Sequence, residues 1–387
     1  MFRKLSSRAT INISLAEPSA ESCFLGYSSR TNIRKFLWVI FMVLAFGLTV
    51  SGCSPLYVMR AAYEEGIILW RREPITDFVE KPGTDADTKE KLGLVLAVRD
   101  YADKTLKMNV GGSYSSYSYV DRPDLTYILT AVPKTELKPY TWWFLFVGRV
   151  PYKGYFSRED ANRAAAELQR DGYDTIIRTA AAFSTLGWFD DPLLSHLLRY
   201  DRVTLANVIF HELLHNTLYV KGSAAFNESL ANFVGGHAAI DFFRDKFGEG
   251  SAEHQRAVLA WQGDLEFADF LEDVANTLNA LYASNIPLED KLRLREEVFA
   301  RSKREWVRRF ADPESYRSRN FLQQPFNNAV IIQYTLYLKN LKLFEALYDA
   351  EGKSLTRLID SIREAVSKGG EPFEQLQALI DRRRTSS

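Results

Sequence analysis

His211-Glu212-Leu213-Leu214-His215 has the residue types and the spacing of a metal-activated hydrolase. On an α-helix, residues four apart point within about 40° of each other and lie about 6 Å apart along the axis, so His211 and His215 can hold one metal ion. Glu212 is turned about 100° from His211. Its carboxylate therefore falls beside the ion, where it can take a proton from a coordinated water. Leu205, Val208, Ile209, Leu213 and Leu214 surround the motif at helical spacing, and Glu212 is the only charged residue between positions 206 and 220. Such a helix belongs inside a core. Only five histidines occur in the whole chain, so two of them in one helical turn concentrate the ligand type at a single place.

A third ligand is available close by in Phe226-Asn227-Glu228-Ser229. Lys221-Gly222 reads as a helix stop and Ser223 as the cap of a following helix over residues 225–243, with Phe226, Leu230, Phe233 and Val234 on one face. A tight pair of antiparallel helices can bring Glu228 to the two histidines. Two His and one Glu leave a fourth position open, the pattern of a catalytic rather than a structural zinc site, and they favour zinc over calcium or magnesium. The expectation is one zinc ion. Against this, a first-turn glutamate also serves the helix dipole. Asn227 is a candidate for orienting a ligand. His237, two and a half turns further on after Gly235-Gly236, is a rival ligand but reads better as a packed or surface histidine. An oxyanion donor is also needed. Tyr334 is the candidate, with an ordinary core tyrosine as the competing reading. Asp190 and Asp191 could hold a substrate amine, although a turn before Pro192 explains them more simply.

The elements around the motif change character along the chain. Residues 55–72 and 85–108 carry helical patterns. Residues 113–120, 125–132 and 142–152 are rich in tyrosine, aromatic and β-branched residues and read as strands. Ser157 and Asp160 open a helix that closes before Gly172, and residues 173–183 return to strand. From Pro192 the pattern is nearly all helix. The expected fold class is α+β: a mixed helix and small-sheet part over 53–190, then a mostly helical, zincin-type part over 191–387, with one continuous peptidase domain over 53–387 as the alternative. Arg382-Arg383-Arg384 reads as a solvated tail.

Several stretches together resemble a known family. They are Trp142-Trp143-Phe144 with Val147-Gly148, Tyr152-Lys153-Gly154-Tyr155-Phe156, Gly172-Tyr173-Asp174, Phe183 through Phe189 with Asp191-Pro192, Ile209 through Leu213, Tyr219-Val220-Lys221-Gly222, Phe226-Asn227-Glu228 and Asn327-Asn328-Ala329. The chain resembles the predicted aminopeptidase family of bacterial lipoproteins, a gluzincin-like group, from about Cys53 to its end. That resemblance implies His211, His215 and Glu228 as zinc ligands and Glu212 as the base. It also implies a sheet edge that pairs with extended substrate, for which residues 173–188 are the candidate, with Gly187 allowing close approach. The spacing from His215 to Glu228 is shorter than in better-known gluzincins, and an amine-binding Gly/Met/Glu/Asn stretch is not found.

The N-terminus points to an address. Residues 36–50 are apolar, follow Arg34-Lys35, and lead into Val50-Ser51-Gly52-Cys53, which resembles a lipobox. The expectation is a leader over 1–52 with a lipid on Cys53, and Ser54 after it suggests the outer membrane, facing the periplasm. An uncleaved anchor or a buried segment is the competing reading. Residues 1–33 make an unusually long polar n-region. Cys23 and Cys53 are the only cysteines, so neither thiol catalysis nor cysteine-bound zinc is expected. Lys and Arg balance Asp and Glu at 49 each, which gives no electrostatic case for nucleic acid. The expected partners are a peptide substrate and, through the lipid, a membrane. A non-catalytic envelope lipoprotein with a structural metal, or a hydrolase of a non-peptide amide, would use the same residues.

Overall fold

The change in hydrophobic period along the chain becomes a change from short strands to long helices. The structure, a computed structural model, describes residues 63, 66–121, 126–144, 148–179, 190–310, 321 and 324–386. Its first part runs β1 (Glu73–Pro74), α1 (Ile75–Val79), α2 (Ala86–Lys104), β2 (Ser116–Ser118), β3 (Tyr127–Pro133), β4 (Trp142–Phe144), β5 (Gly148–Val150), β6 (Lys153–Tyr155), α3 (Arg158–Arg170), β7 (Tyr173–Thr179) and β8 (Leu193–Leu194). Helices follow: α4 (Arg202–Thr217), α5 (Ala224–Phe247), α6 (Ala252–Ala283), α7 (Leu288–Arg309), α8 (Asn328–Leu338), α9 (Leu341–Ala350), α10 (Leu355–Ser367) and α11 (Pro372–Ser386). The chain is mostly helical with small sheets, an α+β architecture.

The sheet that matters for the site has the order β6-β3-β7, all antiparallel, with β3 in the centre. β3 pairs with β7 over its whole length, from Tyr127 opposite Thr179 to Pro133 opposite Tyr173. Strand alternation puts Asp174, Ile176 and Arg178 on one face of β7. The expected strand over 142–152 is instead the hairpin β4–β5, with β6 beginning just after it. The strand expected over 173–183 is β7 in its described part, Tyr173–Thr179. Gly187 and the rest of the 180–189 segment lie outside the described residues, as do Cys53 and the leader.

Local capping explains most helix starts. Asp85 accepts Thr88 N–H at 2.9 Å at the head of α2, and Ser157 accepts Asp160 N–H at 3.1 Å at the head of α3. Gly172 has φ +87°, a left-handed turn that glycine takes without a Cβ clash, and it leads from α3 into β7. One hydrophobic core runs through both parts of the chain, from Leu92, Val95 and Val98 of α2 through Val132 and Ile176 of the sheet to Phe210, Phe233, Phe267, Ile331 and Phe344 of the helices. Pro55–Ser387 forms a single unit. No helix among the described residues is long and apolar enough to cross a membrane.

At the C-terminus Arg382-Arg383-Arg384 is solvent-exposed, as expected, and forms the last turns of α11. Arg383 pairs with Glu351 at 3.0 Å, and that carboxylate is buried. Buried charge needs a partner, and the basic run supplies one.

Candidate metal centre and active site

α4 is a core helix built around its polar motif. Asp201 caps it, its carboxylate accepting Val203 N–H at 3.0 Å and Thr204 N–H at 3.2 Å. Leu205, Ile209, Phe210, Leu213 and Leu214 are fully buried, which fixes the rotation of the helix and turns His211 and His215 toward α5. The side chains of His211 and His215 are 12% and 6% exposed: reachable, but mostly enclosed.

The turn into α5 differs from expectation. α4 stops at Thr217, the chain is extended at Leu218, and Gly222 turns left-handed at φ +78°. Ser223 stands at the cap position but makes no capping hydrogen bond. Asn227 does the tying instead. Its Oδ1 accepts Val220 N–H and its Nδ2 donates to Val220 O, both at 2.8 Å. Asn227 therefore fixes the loop that presents Glu228 rather than bonding to a ligand. Gly235 then lets α5 close on α4: a Cβ there would lie 2.9 Å from Asn207 O and 3.4 Å from His211 Cβ.

The result is a convergence of three donor atoms. His211 Nε2 is 3.2 Å from Glu228 Oε2 and 3.2 Å from His215 Nε2, and His215 Nε2 is 3.8 Å from Glu228 Oε2. Ligands of a tetrahedral zinc at about 2.0–2.1 Å are separated from one another by about 3.3 Å, so the three fit one ion. Burial alone would raise the Glu228 carboxyl, but hydrogen bonds with His211 and His215 outweigh it and hold Glu228 well below the usual carboxylate range. Burial likewise opposes charge on His215, and Glu228 and then Glu212 outweigh it, raising the imidazole. Charge of one sign on Glu228 thus draws positive charge into the gap, the electrostatic condition for holding a cation.

Glu212 is half-buried and makes no hydrogen bond or ion pair with any described residue. Its charge nevertheless acts on His215, Tyr114 and Tyr337, so the carboxylate is inside the centre and not committed to a structural partner.

Four more residues meet here for which the sequence suggests no individual role, although Tyr152 and Tyr219 lie in family-like stretches and Arg178 in the candidate substrate-facing strand. The ring of Tyr337, from α8, lies 6.0 Å from that of His211. Arg178, at the end of β7, donates from its guanidinium to Tyr337 Oη at 2.7 Å. The Tyr219 ring lies 6.3 Å from His215, and the Tyr152 phenol, raised by burial and then by Glu228, completes the wall. Ser229, next to Glu228, pins α8 in place: its Oγ donates to Leu336 O at 3.1 Å and accepts Lys339 N–H at 2.9 Å. The residues on either side of Tyr337 are thereby held by the neighbour of Glu228.

The other candidates fall elsewhere. Tyr334 packs on Phe267 at 5.1 Å and on Phe321 at 6.5 Å, a core aromatic one turn before the tyrosine that faces His211. His237 is 2.9 Å from Glu345 and ringed by Phe233, Trp261 and Tyr348, so it serves packing. Asp190 accepts Gly112 N–H at 2.7 Å, and the backbone of buried Asp191 bonds Tyr114 and Ser113; instead of the expected turn and helix start before Pro192, the chain runs into β8.

No curated protein and no solved structure matches the chain. A family model does, over residues 56–374, and it takes in every residue of the centre; its description is "putative aminopeptidase". The chain belongs to the Aminopep family.

Proposed function

We propose that this protein is a zinc-dependent peptidase of zincin type, with removal of N-terminal residues as its first-choice reaction, anchored in the bacterial cell envelope through Cys53. The observation that carries the reading is the meeting of His211 Nε2, His215 Nε2 and a Glu228 oxygen, all within 4.8 Å of one another, beside a Glu212 carboxylate with no structural partner among the described residues. A structural metal needs no base, so Glu212 favours catalysis over the non-catalytic alternative. The family description favours a peptidase over hydrolysis of other amides.

His211, His215 and Glu228 would hold the ion. Zinc, when bound, supplies a Lewis acid that polarises the scissile carbonyl and acidifies water. Glu212 takes the proton of the attacking water at its carboxylate and delivers it to the leaving amine. Tyr337 is the donor for the developing oxyanion. Its oxygen already accepts from Arg178, which leaves its own hydroxyl hydrogen to point elsewhere, and the guanidinium strengthens it as a donor. Burial keeps the phenol protonated well above neutral pH. The enclosure of the two histidines limits competing water.

The test is metal content followed by cleavage assays on a version beginning at Ser54, beside Glu212→Ala. The expected outcome is one zinc per chain in both proteins and a rate lower in the variant by about 10²–10⁴-fold, the usual worth of a positioned base. Free-amine reporters cleaved in preference to blocked peptides mark an aminopeptidase; the reverse preference marks an endopeptidase. Equal rates in both proteins, or no zinc, would sink the assignment.

A further inference from the structure

Arg178 brings a guanidinium into the metal centre without a carboxylate of its own. A guanidinium carries five N–H donors. One goes to Tyr337 Oη at 2.7 Å. The Nε–H is buried and meets no acceptor. No carboxylate among the described residues lies within ion-pair distance of it, and Glu228, the acid whose field reaches it, is engaged by His211 and His215. A buried donor left unsatisfied in a native protein calls for a reason, and a half-buried charge left unpaired costs more.

The charge balance points the same way. The two carboxylates of the centre, Glu212 and Glu228, neutralise a divalent ion. Arg178 is then the remaining positive charge among the described residues of the cleft, an excess of one. Tyr152, Tyr219 and Tyr337, which line it, are neutral. Their phenols are all raised by burial. An anionic substrate group fits that excess. Arginine is also the side chain whose planar fork matches a carboxylate with two parallel hydrogen bonds.

Position restricts which group this is. Arg178 stands one phenol's width from His211, through Tyr337. Each residue of extended peptide spans at most about 3.6 Å, so a carboxylate one or two residues from the scissile carbonyl reaches the guanidinium. We propose that Arg178 is a specificity residue that binds a carboxylate of the peptide substrate close to the cleaved bond, either the terminal α-carboxylate of a short peptide or an acidic side chain.

The proposal rests on the peptidase reading, and the experiment separates the two. Wild type, Arg178→Met and Arg178→Lys are assayed on two matched sets. One compares short peptides with a free C-terminus against their amides. The other keeps the amide and compares Glu against Gln beside the scissile bond. The wild type is expected to favour the carboxylate member of one set by about 10- to 100-fold in kcat/KM, the worth of a charge-assisted pair. Which set shows it identifies the source. Arg178→Met brings that ratio close to one, and Arg178→Lys keeps part of it. The ratio is read, so a slower overall rate through Tyr337 cancels.

Calorimetric titration of N-acetylphenylalanine and its amide, with and without a chelator, gives a readout free of turnover. Binding of the acid alone, lost in Arg178→Met, supports the proposal. Cleavage with a ratio near one in both sets overturns it and leaves the peptidase reading standing. If no peptide is cleaved, that reading falls and the titration decides alone: equal binding of acid and amide overturns the proposal.

Discussion

Two arginines meet the same face of β7 at opposite ends, and the protein treats them in opposite ways. At the start of the strand, Arg295 from α7 reaches both oxygens of Asp174, at 2.9 and 2.7 Å. The set around them is closed: Arg295 also donates to Lys134 O, Asn328 N–H donates to Asp174 at 3.1 Å, Asn328 Nδ2 donates to Pro133 O at 2.8 Å, and Tyr282 donates to Asn328 Oδ1 at 2.8 Å. Arg295 is 4% exposed and Asp174 7%. At the end of the strand, four residues on, Arg178 has one phenol for a partner among the described residues and an Nε–H without an acceptor, and Glu212, whose charge reaches the same phenol, has no partner among them. A closed polar cluster joins sheet to helices. An open one, only half-buried, is prepared for something that comes from outside. Saturation of hydrogen bonds separates the two, and burial follows it: the closed cluster is buried and the open one only half-buried.

The sharpest way to break this comparison is to open the closed end. Arg295→Met leaves Asp174 buried and uncompensated, and is expected to lower stability by about 3–5 kcal/mol in urea unfolding, with the rate per folded molecule unchanged. Removing both charges in Asp174→Asn/Arg295→Met should recover part of that loss, because a buried pair contributes little beyond neutralising itself. A variant that keeps its stability but loses activity would mean that the closed cluster also belongs to the chemistry.

Next in size is the open end. Tyr337→Phe removes one hydroxyl and is expected to lower kcat/KM by about 10²–10³-fold, the range for a lost oxyanion donor, while stability falls by only about 1–2 kcal/mol as Arg178 loses its acceptor. Tyr334→Phe, one turn earlier and packed on Phe267, is the control and should match wild type in kcat/KM. Equal losses in the two variants would remove Tyr337 from the mechanism.

The same contrast explains what could be read from the chain. His211, Glu212 and His215 lie within one turn of one helix, so their geometry is local and the spacing alone predicts it. Glu228 is one short loop away and was still within reach. Arg178 and Tyr337 come from a strand and a helix far apart in sequence. Alternation did carry a trace of Arg178, which falls on the face of Asp174 and Ile176, but nothing local says that this face meets α4. Choosing Tyr337 over Tyr334 needs the rotation of α8, and that is set by the bonds of Ser229 to Leu336 and Lys339. The loop after α4 misled for a similar reason. Gly222 and Ser223 have the composition of a stop and a cap, yet the hold of Asn227 on Val220 takes over both tasks and ends the helix earlier. Arg382-Arg383-Arg384 is solvated as its run of charge reads, while the pairing of Arg383 with buried Glu351 comes from a distant part of the chain. The sheet and helix classes followed from period; which side chains meet did not.

The smallest effect concerns a cluster between the two extremes. Glu345 Oε1 lies 2.9 Å from His237 Nε2 and accepts Trp261 Nε1–H at 2.8 Å. Burial pushes the Glu345 carboxyl up, but its bonds to His237 and Trp261 outweigh this and hold it below the ordinary glutamate value of 4.5. A carboxylate depressed in the folded state adds stability that is complete above the unfolded value and is lost as pH falls through the folded one. The window therefore opens near pH 4.5 and extends downward. Glu345→Gln, which removes the titrating group and keeps an oxygen for Trp261, should flatten the fall in urea stability below about pH 5 and leave peptide cleavage unchanged. If the slopes coincide, His237 and Glu345 are held by their aromatic surroundings alone. The cluster would then belong with Arg295 and Asp174, closed by packing as those are closed by hydrogen bonds, and only the end of β7 near Arg178 would remain open.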